Sequence, residues 1–342
     1  MTRLLIAFAS LFIIQSCSLQ DADPETDSLK NRAQTSGIHI GAAVAANPLS
    51  QDDQYALTLA REFNLVTTEN ALKFGPVHPE PEGYNFEDSD AIVDFAVSNN
   101  MAIRGHTLIW HNQQPEWLTG REWERNELLA ELEEHIDTVV GRYEGKIFAW
   151  DVVNEAVTGD GSYRDTFWYQ NMGEEYISEA FRMAHEADQN ALLFYNDYGA
   201  EGMNAKSEAV YSLVVSLLDE NVPIDGVGLQ MHISVENYPD PDSVAKNIKR
   251  LTDLGLQVHI TEMDVRILTH ATSQALQTQG HVYNEMMKVC LANPNCTAFV
   301  LWGFTDLYSW IPNFFDGYGS ALIFDEEYQP KPGYDSLAAA LE

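Results

Sequence analysis

The feature that most constrains this chain is a regular alternation of eight short apolar runs with longer amphipathic stretches. The runs occupy positions 38–44, 65–68, 102–107, 147–153, 191–195, 226–231, 257–261 and 298–303. A short run without a polar face reads as a strand buried on both sides, the pattern of a parallel sheet. Between the runs, positions 126–142, 174–187, 203–220, 242–254 and 273–292 carry apolar residues at helical spacing. Strict strand-then-helix order over eight units implies the α/β class and a closed (β/α)8 TIM barrel. An open doubly wound sheet is the alternative, yet no Gly-rich dinucleotide loop follows the first run. The chain has 342 residues, 45% of them hydrophobic, enough for one such core. A single barrel domain is therefore expected over 35–342.

A barrel of this kind carries its chemistry at the C-terminal ends of its strands. Those ends read Thr68-Glu69-Asn70, Gly105-His106-Thr107, Asn154-Glu155, Asn196-Asp197, Gln230-Met231-His232, Thr261-Glu262 and Trp302. Polar, titratable and aromatic residues thus cap seven of eight apolar runs, more than a bland barrel would place there by chance.

Glu155 and Glu262 end the fourth and seventh runs, on nearly opposite walls of the mouth. Two facing carboxyls suit cleavage of a glycosidic bond, one protonating the leaving oxygen while the other faces the anomeric carbon. Asn154 precedes Glu155 and can donate to a sugar 2-hydroxyl. His232 and Asp264 can form a hydrogen-bonded line to Glu262 that keeps it ionised and oriented. Sugars present hydroxyl edges and apolar ring faces. Glu69, Asn70, Lys73, His106 and Gln230 supply partners for the edges, and Trp110, Trp302 and Trp310 supply flat surfaces for the faces. This chemistry needs no cofactor and no metal.

The formal charge of −33 argues against nucleic acid and anionic membrane surfaces as partners, because both need clustered Lys and Arg. The N-terminus is different in kind. A positive start at Arg3, an apolar run over 4–14 and the tetrapeptide Ile14-Gln15-Ser16-Cys17 form an export signal over 1–17, too short to span a bilayer. The tetrapeptide resembles the lipobox of bacterial lipoproteins, with Cys17 as the lipidated residue and the only membrane attachment. An ordinary signal peptide is the other reading. Residues 18–34 are expected to form an acidic flexible tether. An exported, lipid-anchored protein at the cell envelope or outer membrane follows, or a secreted one, acting as a monomer. Cys290 and Cys296 then remain as a pair: export permits a disulfide, and no other Cys or nearby His favours zinc.

At these residues the chain resembles glycoside hydrolase family 10, mostly β-1,4-xylanases. Thr68-Glu69-Asn70-Ala71-Leu72-Lys73, Gly105-His106-Thr107-Leu108-Ile109-Trp110-His111, Trp150-Asp151-Val152-Val153-Asn154-Glu155, Gly228-Leu229-Gln230-Met231-His232, Ile260-Thr261-Glu262-Met263-Asp264 and the segment from Trp302 to Trp310 are similar to its motifs, in order. The resemblance implies a retaining endo-β-1,4-xylanase acting on xylan and xylo-oligosaccharides. It implies Glu155 as acid/base and Glu262 as nucleophile with His232 bonded to it. It also implies Glu69, Asn70, Lys73, Trp302 and Trp310 on the non-reducing side, His106, Asn154 and Gln230 around the −1 sugar, and Tyr198 bordering the leaving-group side. The Cys290/Cys296 pair resembles a family disulfide. Phe74, where many members have Trp, and Gly199, where Asn often follows the Tyr, depart from the pattern. Three rivals stand beside this reading. They are a broader β-1,4-glycanase or exo-acting glycosidase, a non-catalytic surface glycan-binding barrel, and a barrel aldolase or isomerase. The last lacks a late phosphate loop.

Overall fold

The computed structural model describes residues 28–342. The apolar runs form strands β1 (His39–Val44), β2 (Leu65–Thr68), β3 (Ala102–Ile109), β4 (Ala149–Asn154), β5 (Leu192–Asp197), β6 (Gly226–Leu229), β7 (Gln257–Leu268) and β8 (Cys296–Leu301). Each pairs parallel with the next. β8 returns to β1 through His39↔Ala298 and Ile40↔Phe299, which closes the barrel. β2, β4 and β6 are buried at every position, as expected for strands covered on one side by barrel filling and on the other by helices.

Those helices are α1 (Leu29–Ser36), α2 (Asp53–Glu62), α3 (Glu87–Ser98), α4 (Arg125–Arg142), α5 (Glu175–Ala187), α6 (Ala205–Asp219), α7 (Pro241–Thr252), α8 (Ser273–Leu291) and α9 (Pro332–Ala340). Their starts are set by side-chain caps. Asp52 accepts the backbone N–H of Gln54 and Tyr55 at the head of α2, and Asn204 and Ser207 form a capping box on α6. α7 buries Val244, Ile248 and Leu251, a stripe at helical spacing, against the barrel wall.

Two findings differ from the sequence reading. Residues 28–34, expected as the end of the tether, begin α1 instead: Ser28 caps it, and Leu29 and Ala33 are fully buried. The Leu29 N–H donates to the Glu62 carboxylate at 3.1 Å, so this helix is fastened to α2. The export signal, Cys17 and residues 18–27 lie outside the described residues. Secondly, β7 runs on past Glu262 to Leu268. Its outer half pairs parallel with a short strand, His232–Ser234 (His232↔Asp264), and antiparallel with Tyr318–Gly319. Polar residues at 262 and 264 end the apolar run in sequence, but the backbone continues because these carboxylates find partners.

The barrel interior also holds charge. Arg104 is fully buried, with its guanidinium on the Asp151 carboxylate and 2.6 Å from Nδ1 of His259. Burial and the Arg104 charge hold the His259 pKa well below its ordinary value, so the neutral ring accepts from Arg104 and donates Nε2–H to Thr297 Oγ1 at 2.9 Å. Cys290 and Cys296 are joined by a disulfide at the start of β8, the barrel end away from the strand tips named above.

Candidate active site

Every strand tip singled out in the sequence meets at the C-terminal mouth. Glu262 sits on β7 with both carboxylate oxygens engaged. Oε1 accepts from Asn196 Nδ2 at 2.6 Å, and Oε2 lies 3.0 Å from His232 Nε2. The second ring nitrogen of His232 lies 2.8 Å from Asp264 Oδ2, which also accepts the Trp310 indole N–H at 2.9 Å. Burial disfavours a charged His232. The Asp264 and Glu262 carboxylates outweigh it and push the pKa up to about 10. The imidazolium donates from both nitrogens, and Glu262 faces it as an oriented carboxylate.

Glu155 follows the last residue of β4 with φ of 61°, a left-handed conformation uncommon outside glycine and typical of functional positions. Its N–H donates to the Asn196 carbonyl at 2.9 Å, and its own carbonyl accepts from Arg164 Nε at 2.8 Å. These bonds over-determine the strained backbone and aim the side chain inward. Oε1 accepts from Gln230 Nε2 at 3.1 Å. Oε2 faces His111 Nε2 at 3.8 Å, beyond hydrogen-bond range. Burial lowers the His111 pKa, against the pull of the Glu155 charge.

Asn154 stands between the two glutamates. One end of its amide lies 3.0 Å from both the Asn196 and Gln230 amide nitrogens, and the other lies 3.2 Å from the Trp110 indole nitrogen. Asn196 is itself set by Thr261 Oγ1, which donates to its Oδ1 at 2.7 Å. The close approach needs Gly228: a Cβ there would lie 2.1 Å from Asn196 Oδ1. His106 places Nδ1 3.0 Å from Asp151 Oδ2 and 3.9 Å from Glu262 Oε1, below the mouth.

Beside the pair, Asn70 joins Glu69 (3.2 Å) to Lys73 (2.9 Å). Lys73 is buried, with its ammonium 4.8 Å from the Trp110 ring centre and 5.7 Å from that of Trp302. Burial pulls its pKa down while Glu262, Glu69 and Glu155 hold it up. Glu69 moves the other way, raised by burial against the pull of Lys73. The Trp302 ring meets His106 edge-on at 5.1 Å and the Trp310 ring meets His232 at 5.0 Å, so both tryptophans stand against the histidines that flank Glu262.

On the opposite lip, Tyr198 is exposed. Its hydroxyl accepts from Arg164 at 2.9 Å and its ring covers the Lys206 ammonium at 3.7 Å. Lys206 pairs with Asp197 at 2.6 Å, and burial raises the Asp197 pKa to about 6. Gly199 follows at φ of +69°, a conformation Gly or Asn adopts without strain. Phe74 is buried behind Lys73, stacked on His135 at 3.7 Å, and does not line the cleft.

Reading the sequence assigned no part to Asn196, His111, Asp151 or Arg164, all of which lie against Glu155, Glu262 or their direct partners. Asn196 was visible as a strand tip, and His111 as the last residue of a motif. Arg164 gives no signal, because its contact is with a backbone carbonyl. Among the described residues, no group of three or more His, Cys, Asp and Glu side chains is arranged to hold a metal ion.

The chain was compared with known proteins. The sequence profile of glycosyl hydrolase family 10 matches residues 28–340. An endo-1,4-beta-xylanase B from Thermotoga neapolitana is 47% identical over 319 residues, 92% of this chain and 91% of its own. An endo-1,4-beta-xylanase B from Paenibacillus barcinonensis is 42% identical over 86% of this chain and 93% of its own. The crystal structure of xylanase 10B from Thermotoga petrophila in complex with xylobiose superposes with a TM-score of 0.90 at 48% identity, covering 92% of this chain and 97% of that one.

Proposed function

This chain belongs to glycosyl hydrolase family 10, and from that premise we propose that Glu155 is the acid/base and Glu262 the nucleophile of its reaction. The activity is that of a retaining endo-1,4-β-xylanase. The observation that carries the assignment is the asymmetry between the two carboxylates. Glu262 is gripped at both oxygens, one of them by a charged histidine, which suits a group that must attack as an anion. Glu155 is held at one oxygen, and the other is left to meet the leaving group.

In the first step Glu262 attacks the anomeric carbon and the bond to the leaving oxygen breaks as Glu155 delivers its proton there. The glycosyl–enzyme ester then forms at Glu262, and Glu155, now a carboxylate, takes a proton from the water that displaces it with net retention. Asn154 binds the 2-hydroxyl of the −1 sugar, and Gln230 and His106 complete that subsite. Glu69, Asn70, Lys73, Trp110, Trp302 and Trp310 hold the non-reducing side, and Tyr198 borders the leaving group. Lys73 and the His232 imidazolium offset the carboxylates around the bond being broken. Asp264 orients His232. We also assign export to residues 1–17 and lipid attachment to Cys17, with the barrel outside the membrane as a monomer.

Two substitutions test the roles. Glu262→Ala abolishes turnover on every substrate. Glu155→Ala keeps the first step on aryl xylobiosides whose leaving group needs no proton, and azide accelerates its second step by giving a β-xylosyl azide. Identical behaviour of the two variants on an activated aryl glycoside overturns the assignment.

A further inference from the structure

A chain of buried polar groups stands behind Glu155. Successive side chains of a strand point to opposite faces. On β5, Asn196 points into the mouth at Glu262, so Tyr195 and Asp197 share the opposite face, where Lys206 of α6 meets them. All three are buried, Tyr195 and Asp197 completely. A strand face covered by a helix ordinarily carries apolar residues, and a buried ion pair there returns little net stability. Its presence calls for another use.

The chain ends on the backbone at Glu155. Lys206 Nζ lies 2.6 Å from Asp197 Oδ1, which also accepts the Tyr198 N–H at 2.9 Å. Asp197 Oδ2 accepts from the Tyr195 hydroxyl at 2.5 Å, and the Tyr195 oxygen in turn accepts the Ala156 N–H at 3.0 Å. Burial, and then the Asp197 charge, raise the Tyr195 pKa well above its ordinary value. The hydroxyl therefore keeps its proton, and the direction of both bonds is set.

A peptide unit is planar, so the Glu155 carbonyl and the Ala156 N–H move as one body. Arg164 holds that carbonyl and Tyr195 holds that N–H. The preceding peptide is fastened through the Glu155 N–H to the Asn196 carbonyl. With both flanking peptides pinned, the φ of 61° at Glu155 cannot relax, and the direction of its side chain is fixed with it. Without the Tyr195 hydroxyl, one end of the second peptide is free to turn. That turn moves the Glu155 carboxyl and leaves Glu262, held by Asn196 and His232, where it is.

We propose that Tyr195 and Asp197 are positioning residues for proton transfer by Glu155, with Lys206 holding Asp197 and the Tyr195 hydroxyl locking the peptide that follows the acid/base. This deepens the xylanase reading and rests on its acid/base assignment. Both residues act through the aim of Glu155, so their effect grows with the leaving group's need for a proton.

The test compares 2,4-dinitrophenyl β-xylobioside, whose leaving group departs as an anion, with phenyl β-xylobioside, whose leaving group must be protonated. The two share one glycosyl part, so the ratio of their kcat/KM values cancels losses of folded enzyme and of sugar binding. Tyr195→Phe is expected to lower kcat/KM on the phenyl glycoside about 10-fold, part of the roughly 10²- to 10⁴-fold that general acid catalysis supplies, and to leave the dinitrophenyl glycoside within about 2-fold. Asp197→Asn, with one acceptor oxygen left for the donors Tyr195, Lys206 and Tyr198 N–H, shows the same selective loss. Glu155→Ala is measured beside them and loses the phenyl glycoside more heavily still. An equal loss on both glycosides in Tyr195→Phe, or none on either, overturns the positioning role while a selective loss in Glu155→Ala keeps the acid/base assignment. An equal loss on both in Glu155→Ala overturns that assignment itself.

Discussion

Raising the pH from 7 to 10 acts on one group at the centre of this site. His232 has a folded-state pKa of about 10 because Glu262 and Asp264 flank it, against about 6.5 in an unfolded chain. A histidine whose pKa is raised by folding stabilises the native state fully below 6.5, and that contribution disappears as pH climbs through 10. At about 1.4 kcal/mol per pH unit, the gap amounts to about 5 kcal/mol at the acid limit. Roughly 3 to 4 kcal/mol of it should be lost between pH 7 and 10. These are upper figures, since the two carboxylates relax as their partner neutralises. The assay is guanidinium unfolding at pH 7, 8, 9 and 10, run beside His232→Asn, which keeps a donor and removes the titration. The wild-type advantage over the variant should shrink steadily with pH. Activity should fade over the same limb, because a neutral ring has one N–H for two carboxylates. An advantage that stays constant from pH 7 to 10 would refute the charged histidine and with it the account of how Glu262 is held.

Three further outcomes are expected. The first product seen by NMR during xylotetraose hydrolysis is the β-anomer, and initial α-anomer contradicts the double displacement. Xylose lacks the hydroxymethyl group of glucose, so Trp302 and Trp310 should exclude cello-oligosaccharides by bulk. kcat/KM should be well above that on cello-oligosaccharides of equal length, and Trp310→Ala should narrow the gap while weakening xylose binding. Equal efficiency in the wild type would remove the wall. Cys17→Ser should move the protein from the membrane fraction to the soluble fraction, and a wild-type protein already free in the medium contradicts the anchor.

The barrel was legible because a parallel strand buried on both faces reads as a short run without a solvent-facing alternation, as in Gly226–Leu229. The two glutamates that meet at the mouth were legible for the opposite reason: a glutamate directly after such a run is conspicuous. What escaped the sequence depends on distant partners. Arg104 and Asp151 read as interruptions of apolar runs, and nothing local says they neutralise each other across 47 positions. Tyr308 finds Asp52 256 positions away, so its ring looks like any exposed tyrosine. Residues 28–34 carry a weak apolar pattern, and only the contacts of Leu29 and Ala33 with the body make them a helix. The outer half of β7 was missed because Asp264 is polar, while in the fold its carboxylate is bonded to His232 and Trp310.

The buried charges beneath the mouth follow a single logic with those at its rim. An ion pair such as Arg104–Asp151 gains little stability over an apolar pair, because desolvating both groups costs as much as their attraction returns. Its use here is directional. The Arg104 guanidinium keeps Asp151 ionised in spite of burial, and an ionised carboxylate can only accept. Asp151 therefore accepts a hydrogen bond from Nδ1 of His106, which fixes the orientation of the ring. On the far side of Glu262, Asp264 accepts from the second ring N–H of the charged His232 and orients it, with Trp310 holding the carboxylate in turn. Each histidine beside Glu262 is thus oriented by its own buried carboxylate, and each carboxylate by a donor that cannot itself accept. A glutamate flanked in this way cannot turn to follow a substrate. It is the sugar, stacked and hydrogen-bonded along the cleft, that must come to it in the right orientation.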